Sequence, residues 1–499
     1  MKRIKAPGEF SIPREVSGIT SALKAALFES YLVGGCVRDL FLGKIPKDWD
    51  VTTNATPEQI ISIFPKTFYE NDYGTVGVVN EAIGDDDLKK QSLKIIEVTP
   101  YRIESAYSDS RRPDSVSFSK NIEDDLKRRD FTINAIAYDP ENQKTLDLYG
   151  GLSDLDGKII RAVGDAKERF MEDGLRVMRA IRLHAELGFS IEEKTKEGIR
   201  EAAQLLSKIA KERIRDEFVR IIMSDHPMEA IEMCRELGVL KYVAPELEKG
   251  VGVTQTQAHS FDVWTHLLKT LEHAAKKDWP LHIRLAALFH DISKPETRRK
   301  SPEGDWTFYG HEVVGARVTE KILKDLKFPK DLTERVVKLV RWHMFFSDTE
   351  KITLSAVRRM VVNVGKENVW DLMNVRICDR IGTGRPKESP YRLRKYHAMI
   401  DEALRDPISV GMLKIDGKRI MEVTGEKPGP RIGYILHALL EEVLDDPSLN
   451  TADFLENKAK NMVKMSNAEL KTIGEKGKEK KEVEDEKLVK EIRKKHWVE

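Results

Sequence analysis

Two aspartates separated by one residue follow a pair of glycines near the start of the chain, in the segment YLVGGCVRDLFLGKIPKDWD. In an extended strand, residues i and i+2 point to the same side, so Asp48 and Asp50 can share one divalent ion. Carboxylate oxygens suit Mg²⁺, which commonly bridges to triphosphate oxygens. In a two-ion arrangement, one ion activates an attacking hydroxyl and the other neutralises charge on the leaving pyrophosphate. The pattern predicts a magnesium site for nucleotide chemistry.

Other groups in the same region suit a triphosphate. Glu97, in the predicted strand LKIIEVTPY, is the candidate for a third metal-binding carboxylate. Gly34 and Gly35 let backbone amides approach a phosphate without a Cβ in the way, and Arg38 adds a forked, permanently charged donor. Taken alone, each of these signals is weak, because an Asp-x-Asp or a Gly-Gly turn occurs by chance in many chains.

A second cluster of polar residues has helical spacing. The segment EDGLRVMRAIR predicts a helix over 172–182 with a polar ridge of four residues at three-residue intervals: Asp173, Arg176, Arg179 and Arg182. The opposite face carries Val177, Met178 and Ile181. An aspartate accepts a hydrogen bond from the exocyclic amine of cytosine or adenine, and an arginine donates to ring nitrogens or carbonyls. The alternative is an exposed arginine-rich face with intrahelical ion pairs.

Histidines and aspartates recur in the second half of the chain. The set consists of His266, His290, Asp291, His311, His343 and Asp379. A single one of these histidines is more simply explained as an ordinary core or surface group. Together, separated histidines and a His-Asp dyad favour a mixed nitrogen and carboxylate site for a transition metal, with open positions for water.

Length and composition place these residues in a multidomain globular protein. The chain has 499 residues, of which 40% are hydrophobic and 33% charged, and its net charge is +1. This length predicts three or four folding units. No apolar run approaches the roughly 20 residues that cross a bilayer, and no apolar stretch follows the basic N-terminus. We therefore expect no membrane association and a cytoplasmic location.

Two further features of the composition bear on function. Cys36, Cys234 and Cys378 are far apart and predict buried thiols rather than a disulfide framework or a zinc site. Residues 376–395 contain seven Lys or Arg residues against two acidic ones. Such a segment can follow a phosphate backbone, or it can be a solvated loop.

The local patterns predict an order of domains. β-rich runs such as YLVGG and LKIIEVTPY mixed with helical stretches predict an α/β or α+β head, and helical periodicity dominates after it. The predicted segments are an N-terminal arm at 1–30, a head at 31–165, a helical neck at 166–250, a metal-binding helical body at 251–395, a helical tail at 396–455 and a charged extension at 456–499.

The order of the motifs resembles a known family. GGxVRDxxLG, the Asp-x-Asp pair and DLKRRDFTINAIAYD follow one another as in the polymerase-β-like nucleotidyltransferases of the bacterial CCA-adding and poly(A) polymerase family. The resemblance implies that Asp48 and Asp50 hold catalytic magnesium. It also implies that Gly35, Arg38 and Arg129 contact the incoming nucleotide. Residues 109–113 resemble a flexible element of this family.

The resemblance extends into the neck and beyond it. It matches the EDxxR element, which implies that Asp173 and Arg176 select CTP and ATP and that Arg179 and Arg182 contact the nucleotide. The body resembles the HD phosphohydrolase domain. This likeness implies a first metal held by His266, His290, Asp291 and Asp379, with a second held at His311 and His343 in binuclear members. Residues 411–455 resemble the tail that contacts the tRNA elbow.

The resemblance implies a fold and a function. The expected fold is a polymerase-β-like α/β head followed by an all-α neck, HD body and tail. The expected activity is template-independent addition or repair of the tRNA 3′-terminal CCA from CTP and ATP. Mg²⁺ is expected in the head, and Ni²⁺, Co²⁺ or Mn²⁺ in the HD domain. Because no HD ligand is missing, we also expect phosphodiesterase or phosphatase activity.

Alternatives remain open at this level. The head motifs are shared with enzymes that add only A, only CC, or a poly(A) tail. A reading from another class is an HD phosphohydrolase whose head holds RNA, and a third is a non-catalytic RNA-binding protein. The oligomeric state is also open.

Overall fold

The computed structural model describes residues 10–70, 74–81, 83, 91–104, 116–255, 260–302, 304–345 and 352–474. The chain divides into two compact units, Met1–Pro245 and Glu246–Glu499. Within the described residues, no helix combines the length and the apolar character needed to cross a membrane. Cys36, Cys234 and Cys378 are buried free thiols, which confirms that prediction.

The first unit begins with a mixed α/β head. Its strands are β1 Ser30–Val33, β2 Asp50–Thr53, β3 Thr67–Tyr69, β4 Val76–Val79, β5 Ile95–Pro100, β6 Arg102–Glu104, β7 Val116–Phe118, β8 Ile136–Asp139, β9 Lys144–Asp147 and β10 Ile159–Ile160. Its helices are α1 Arg14–Ala25, α2 Gly35–Phe41, α3 Pro57–Ile63, α4 Ile122–Lys127 and α5 Gly151–Gly157. The predicted strands in YLVGG and LKIIEVTPY correspond to β1 and β5.

Seven of the described strands form one sheet in the order β3-β4-β5-β2-β1-β8-β9. Strands β2 and β5 run parallel, while β1 is antiparallel to both β2 and β8. Leu32, Val51 and Val98 lie on the inner strands and are fully buried. Burial of these β-branched and aliphatic side chains fixes the register, because a slip by one residue moves them to the opposite face. The sheet thus holds the residues around Asp50 in one orientation.

The neck follows in the same unit and is helical. Its elements are α6 Ala166–Glu172, α7 Arg176–Leu187, the short strand β11 Ser190–Ile191, α8 Glu193–Ala202, α9 Lys211–Ile222 and α10 Pro227–Glu236. Helix α7 packs against α9 and α10, and α6 packs against α8. Val177, Met178 and Ile181 are completely buried, as the helical pattern predicted. They hold α7 in place through its apolar face.

The described residues of the second unit form helices and one short hairpin. The helices are α11 Val263–Lys276, α12 Leu281–Phe289, α13 Lys294–Thr297, α14 His311–Asp325, α15 Lys330–Trp342, α16 Leu354–Val364, α17 Val369–Gly382, α18 Tyr391–Ala403, α19 Gly417–Thr424, α20 Pro430–Asp445 and α21 Ala452–Met462. The hairpin pairs β12 Arg299–Lys300 with β13 Trp306–Thr307. Short 3₁₀ helices of the chain include Thr132–Asn134, Ala203–Lys208, Leu240–Tyr242, Val410–Met412 and Pro447–Leu449.

Helix packing in the second unit joins the body to the tail. Helix α11 packs against α12 and α17, α14 packs against α15, and α16 packs against α18 and α20. The predicted helical tail contains α19 and α20, which are joined by the Gly/Pro-containing segment 425–429. The boundary predicted between residues 395 and 396 falls inside α18. Residues 467–474 are helical, and Leu470 is buried.

Candidate active site and metal centre

Asp50 is the first residue of β2, and Asp48 lies just before the strand. Trp49, between them, is buried, whereas Asp48 is exposed and Asp50 is partly buried. This alternation is the one expected for an extended chain. Burial raises the pKa of Asp50, and Asp48 raises it further against the opposing effect of Arg129. The charge of Asp48 therefore disfavours ionisation of Asp50, as neighbouring carboxylates do in sites that hold a cation.

Glu97 is the direct neighbour of Asp50 in the sheet. The parallel register of β2 and β5 pairs Asp50 with Glu97. Partial loss of solvation, followed by the charges of Asp50, Glu70 and Asp48, raises the pKa of Glu97 to about 7. The rest of the side chain is exposed to solvent. The structure thus brings the three predicted carboxylates together. A group of carboxylate oxygens fits Mg²⁺, a hard ion that takes oxygen ligands.

Gly34 separates this carboxylate cluster from an arginine. Its φ is +80°, and a Cβ at this position would lie 3.1 Å from both Arg129 Nη1 and Asp50 Oδ2. Helix α2 begins at the next residue, Gly35. The glycine turn predicted from sequence is therefore required twice, by its backbone conformation and by the close approach of two charged side chains.

Both predicted arginines of the head are held by acceptors. Arg38 donates from Nε and Nη2 to Asp39 Oδ1 at 2.9 and 2.8 Å, and from Nη1 to Asn134 Oδ1 at 2.9 Å. Arg129 donates from Nη2 to Asp125 Oδ2 at 3.1 Å. Arg129 Nε is buried and has no hydrogen-bond partner among the described residues. Each guanidinium is thus oriented by the protein and retains donor capacity for an anionic ligand.

Sequence reasoning missed Asp125, which orients Arg128 and Arg129. Residues 128–130 are called the arginine turn below. Its buried carboxylate accepts from Arg128 Nε at 3.0 Å as well as from Arg129. Burial opposes ionisation of Asp125, but the charges of Arg128 and Arg129 outweigh it and lower the pKa. Asp125 stands within the quoted motif DLKRRD, four residues before Arg129, so helical i, i+4 spacing was the available signal.

The polar ridge of the neck differs from the prediction at its first residue. Helix α6 ends at Glu172 and α7 begins at Arg176, so Asp173 lies in the connection and not on one continuous helix. The carboxylate of Asp173 accepts from the backbone N–H of Leu175 at 3.0 Å. Aspartate competes with the helix by bonding to a nearby backbone amide, which explains the break.

The three neck arginines bind different partners. Arg176 Nη2 donates to the carbonyl of Arg128 at 3.2 Å, and Arg179 Nε donates to Asp130 Oδ2 at 2.7 Å. Burial opposes ionisation of Asp130, but Arg179 outweighs it and lowers the pKa. Arg182 is buried, with Nε 3.3 Å from Glu217 Oε2. Arg176 and Arg179 therefore join the neck to the arginine turn of the head, and the exposed-face alternative does not describe Arg182.

Four buried side chains of the second unit surround one point. His266 Nε2 lies 3.0 Å from His290 Nε2, 3.1 Å from Asp291 Oδ2 and 3.4 Å from Asp379 Oδ1. Helices α11 and α17 supply His266 and Asp379, and the C-terminal end of α12 supplies the His-Asp dyad. These are the four predicted ligands of the first HD metal, and their ligand atoms lie within 4.8 Å of one another.

A second group shares Asp291 with the first. His311 Nε2 lies 3.1 Å and His343 Nε2 3.5 Å from Asp291 Oδ1. The first group contacts the other oxygen, Oδ2, of the same carboxylate. This arrangement is suited to a bridging ligand between two ions, and sequence reasoning had assigned Asp291 to the first ion only.

The histidine tautomers fit metal binding. Nδ1 of His290, His311 and His343 lies 2.9, 2.6 and 2.7 Å from a backbone carbonyl oxygen. In the tautomer in which Nδ1 carries the proton, Nδ1–H donates to that carbonyl. The lone pair of Nε2 then points towards the shared centre. Although burial disfavours its cation, Asp291 raises the pKa of His290 to about 10. A bound metal ion would take the place of that proton on Nε2, because a histidine that ligates a metal must be deprotonated there.

Lys294 is a second residue that sequence reasoning missed. It is buried, its Nζ lies 2.5 Å from Asp291 Oδ2, and it donates to Gln255 Oε1 at 2.7 Å. It follows the dyad by three residues in HDISK, so helical spacing was again the available signal. The lysine places a positive charge beside the ligand groups.

Two other predicted features have different outcomes. In the basic segment, Arg376 pairs with Asp379 Oδ2 at 2.5 Å and Arg380 Nε donates to the carbonyl of Lys387 at 2.6 Å, so part of its charge serves local structure. The flexible element predicted at 109–113 lies outside the described residues.

Family comparisons agree with this layout. Residues 30–161 match the family described as "Poly A polymerase head domain". Residues 188–250 match "Probable RNA and SrmB- binding site of polymerase A", and residues 257–381 match "HD domain". The fold and these matches define a nucleotidyltransferase that carries an HD domain.

Relatives that match along most of their length specify the family. The CCA-adding enzyme of Lactobacillus delbrueckii subsp. bulgaricus (strain ATCC BAA-365 / Lb-18) is 44% identical over 446 residues, which are 88% of this chain and 96% of the relative. That of Lactobacillus helveticus (strain DPC 4571) is 32% identical over 445 residues, 88% of this chain and 94% of the relative. The chain therefore belongs to the CCA-adding enzyme family, which confirms the resemblance seen in the motifs.

Solved structures show the same fold. The crystal structure of the Bacillus stearothermophilus CCA-adding enzyme in complex with CTP has a TM-score of 0.66 and 28% identity, covering 90% of this chain and 97% of that one. A Thermotoga maritima CCA-adding enzyme has a TM-score of 0.55 and 19% identity, covering 91% of this chain and 97% of that one. The predicted α/β head with helical neck, body and tail is confirmed.

Proposed function

We propose that this chain adds or repairs the 3′-terminal CCA of tRNA, using CTP and ATP and releasing pyrophosphate. The observation that carries the proposal is the convergence of three groups in the first unit: the carboxylates at β2 and β5, the arginine turn, and the neck arginines that bind this turn. Membership of the CCA-adding enzyme family supports it.

In this proposal, Asp48, Asp50 and Glu97 hold magnesium. The ion, when bound, lowers the pKa of the tRNA 3′ hydroxyl and neutralises charge on the leaving pyrophosphate. Arg38 and Arg129 bind the triphosphate, since each presents a forked cation that the protein already orients. The backbone of Gly34 and Gly35 lies against the phosphates, where a Cβ would interfere. Binding of both reactants near one centre replaces a bimolecular encounter by a positioned attack.

Base choice is assigned to the neck. Asp173 accepts a hydrogen bond from the exocyclic amine that cytosine and adenine share, and uracil and guanine present a carbonyl oxygen at that position. Arg176 donates to the ring nitrogen or carbonyl beside it. Arg179 and Arg182 contact the nucleotide in the same proposal. Their bonds to Asp130 and Glu217 set the position of α7. A protein pocket then selects CTP and ATP without a template.

An extension assay tests this function. tRNAs that end in the discriminator base, in C or in CC are incubated with magnesium and with CTP, ATP or both. We expect CTP alone to complete CC and ATP alone to add one A to the CC end. Addition of A only, of C only, or of a repeated A tail identifies the three related activities instead. Hydrolysis without any incorporation supports the HD phosphohydrolase with an RNA-holding head, and absence of both reactions supports a non-catalytic RNA-binding protein.

A second activity, metal-dependent hydrolysis of a phosphodiester or phosphomonoester, is proposed for the HD centre. Two ligand groups that share the buried carboxylate of Asp291 favour it. The nitrogen ligands suit Ni²⁺, Co²⁺ or Mn²⁺, and a bound ion of this kind supplies an activated water. Lys294 adds a positive charge for the anionic substrate.

Hydrolysis of a 2′,3′-cyclic nucleotide, of bis-p-nitrophenyl phosphate and of the monoester p-nitrophenyl phosphate, measured with each metal, tests this second activity. We expect the three transition metals to stimulate hydrolysis more than Mg²⁺ does. A purified chain that binds these metals and hydrolyses none of the three substrates contradicts the proposal. For a protein that acts on tRNA, we propose the cytoplasm as the location.

A further inference from the structure

The carboxylate of Asp173 is held at both oxygens. Oδ1 accepts from the backbone N–H of Leu175 at 3.0 Å, and Oδ2 accepts from Arg213 Nη2 at 3.0 Å. The Asp173 side chain retains 16% of its accessible surface. A carboxylate that accepts one bond on each oxygen cannot rotate without breaking one of them. Its plane is therefore fixed while each oxygen keeps a further lone pair.

Arg213 comes from a different element, forty residues along the chain from Asp173. It lies in the first turn of α9, and the adjacent Ile214 is completely buried, which anchors that turn. Helix α9 packs on α7, the helix that begins just after Asp173. A second nitrogen of Arg213, Nη1, is buried and has no hydrogen-bond partner among the described residues. The arginine thus reaches Asp173 from a rigid support.

Orientation of Asp173 matters because its role is to discriminate. An oxygen fixed opposite the exocyclic amine of cytosine or adenine attracts that amine, and it repels the carbonyl that uracil or guanine presents. A carboxylate that can turn away still lets cytosine bind, but it no longer penalises uracil. Discrimination depends on the wrong nucleotide being left with an unpaired polar group, so it requires a fixed acceptor.

We propose that Arg213 is a specificity-determining positioning residue, which fixes the Asp173 carboxylate so that the neck accepts C and A and rejects U and G. The inference rests on the proposed nucleotidyltransferase function and on the base-reading role of Asp173. It assigns to α9 a part in nucleotide choice that the EDxxR motif does not contain.

The experiment compares the full chain with Arg213→Gln, which removes the charge, and Arg213→Lys, which keeps it. kcat/KM is measured for CTP and UTP on tRNA ending in the discriminator base, and for ATP and GTP on tRNA ending in CC. We expect Arg213→Gln to lower the CTP/UTP and ATP/GTP ratios roughly tenfold, within the range for loss of one specifying interaction. Arg213→Lys should retain part of the discrimination.

A matched control lies on the same helix. Arg220 binds Glu186 of α7 through two hydrogen bonds of 2.7 and 3.0 Å, so it also ties α9 to α7, but it does not touch Asp173. Arg220→Gln should leave both ratios unchanged. In an Asp173→Ala background, Arg213→Gln should have no further effect on the ratios, because its action passes through the missing carboxylate. Circular dichroism of each variant reports folding.

The outcomes distinguish failure of the positioning role of Arg213 from failure of the proposed nucleotide addition. If Arg213→Gln lowers kcat/KM equally for correct and incorrect nucleotides, or still changes the ratios in the Asp173→Ala background, the positioning role is wrong. The same holds if Arg220→Gln changes the ratios as much. If Arg213→Gln is unfolded, the decision rests on Arg213→Lys. The positioning role then requires that Arg213→Lys lowers the two ratios when it is the only substitution, and that it leaves them unchanged when it is added to Asp173→Ala. Absence of nucleotide addition by the parent chain contradicts the nucleotidyltransferase proposal itself.

Discussion

Single residues set the distances around the nucleotide site, and Gly34 shows this most directly. A Cβ at this position would lie 3.1 Å from both Arg129 Nη1 and Asp50 Oδ2, a tight contact that requires these groups to shift, and the φ of Gly34 is positive. Backbone strain and close approach therefore act at one residue. A substitution there would displace the Arg129 cation and a carboxylate of the proposed magnesium site together.

The first prediction concerns Gly34→Ala. We expect kcat/KM for CTP and for ATP to fall by a similar factor, roughly 10- to 100-fold, because displacement of the phosphate and metal groups affects a step common to both nucleotides. Steady-state kinetics of each addition measures it. Gly43→Ala is the control, since Gly43 also has a positive φ, +67°, but a Cβ there meets nothing within 4 Å. Equal loss of activity in both variants would mean that strain, and not close approach, is responsible.

At the scale of elements, the first unit depends on the bond between α7 and the arginine turn. Asp130 is buried and its Oδ2 binds Arg179, whose side chain remains 38% exposed. Because solvent screens the exposed part of this pair, its contribution is smaller than that of a fully buried ion pair. We expect Asp130→Asn to lower the free energy of unfolding by about 1–2 kcal/mol at pH 7.

This contribution should depend on pH with a defined sign. The folded state lowers the pKa of Asp130, so the stabilisation is fully present above the ordinary aspartate pKa of about 3.9 and is lost as pH falls through the range below it. Urea denaturation at pH 7 and near pH 3.5 should show a smaller difference between parent and variant at the lower pH. Asp216→Asn, at an exposed pair with Arg215, should change stability little at either pH. A difference that grows on acidification would contradict the assignment.

The second unit contains a comparable constraint where α17 crosses α11. A Cβ on Gly382 would lie 2.3 Å from Thr270 Cγ2 and 3.0 Å from the carbonyl oxygen of His266. Thr270 cannot move freely, because its hydroxyl oxygen lies 2.6 and 2.7 Å from the carbonyl oxygens of Leu267 and Ala287, which share its one proton. The glycine therefore sets the distance between the helices that supply His266 and Asp379.

Gly382→Ala should destabilise the second unit by about 1–3 kcal/mol, the usual cost of overpacking, and should weaken metal binding by separating two ligands. Thermal unfolding and bound Mn²⁺ or Ni²⁺ per chain measure the two effects. Gly433→Ala, in α20, places its Cβ where nothing lies within 4 Å and should be neutral or slightly stabilising. Normal metal content in Gly382→Ala would show that the distance between α11 and α17 does not determine metal binding.

For the whole molecule, the two compact units hold two chemically different centres. The first offers carboxylate oxygens from β2 and β5, and the second offers imidazole nitrogens and carboxylates. Hard and softer ligand sets select different ions. Each unit should therefore carry its own reaction.

We expect Asp291→Asn to reduce hydrolysis to background while C and A addition persists, and Asp50→Asn to do the reverse. Each substitution removes a charge from one ligand set only. Both reactions are assayed on both full-length variants, together with metal content. Loss of C and A addition in Asp291→Asn, with the fold intact by circular dichroism, would contradict the independence of the two centres.

The order and spacing of residues in the sequence were sufficient to predict many residues of the two candidate sites. The resemblance to the HD phosphohydrolase domain indicated the six His and Asp side chains that the structure brings together in the second unit. Period-two alternation predicted Asp48 and Asp50 on one side of the chain with Trp49 opposite. Such features are readable because side-chain direction within a strand or helix follows from backbone geometry alone.

Tertiary structure decided which partners these residues meet. Arg38 binds Asn134 across 96 residues, Arg213 binds Asp173 across 40, and Asp291 presents one oxygen to each ligand group. These contacts depend on where helices and strands cross, and crossing is determined by packing of buried faces rather than by spacing along the chain. The sequence by itself therefore determined the chemical groups and their local order, and the packed fold determined how each group is oriented.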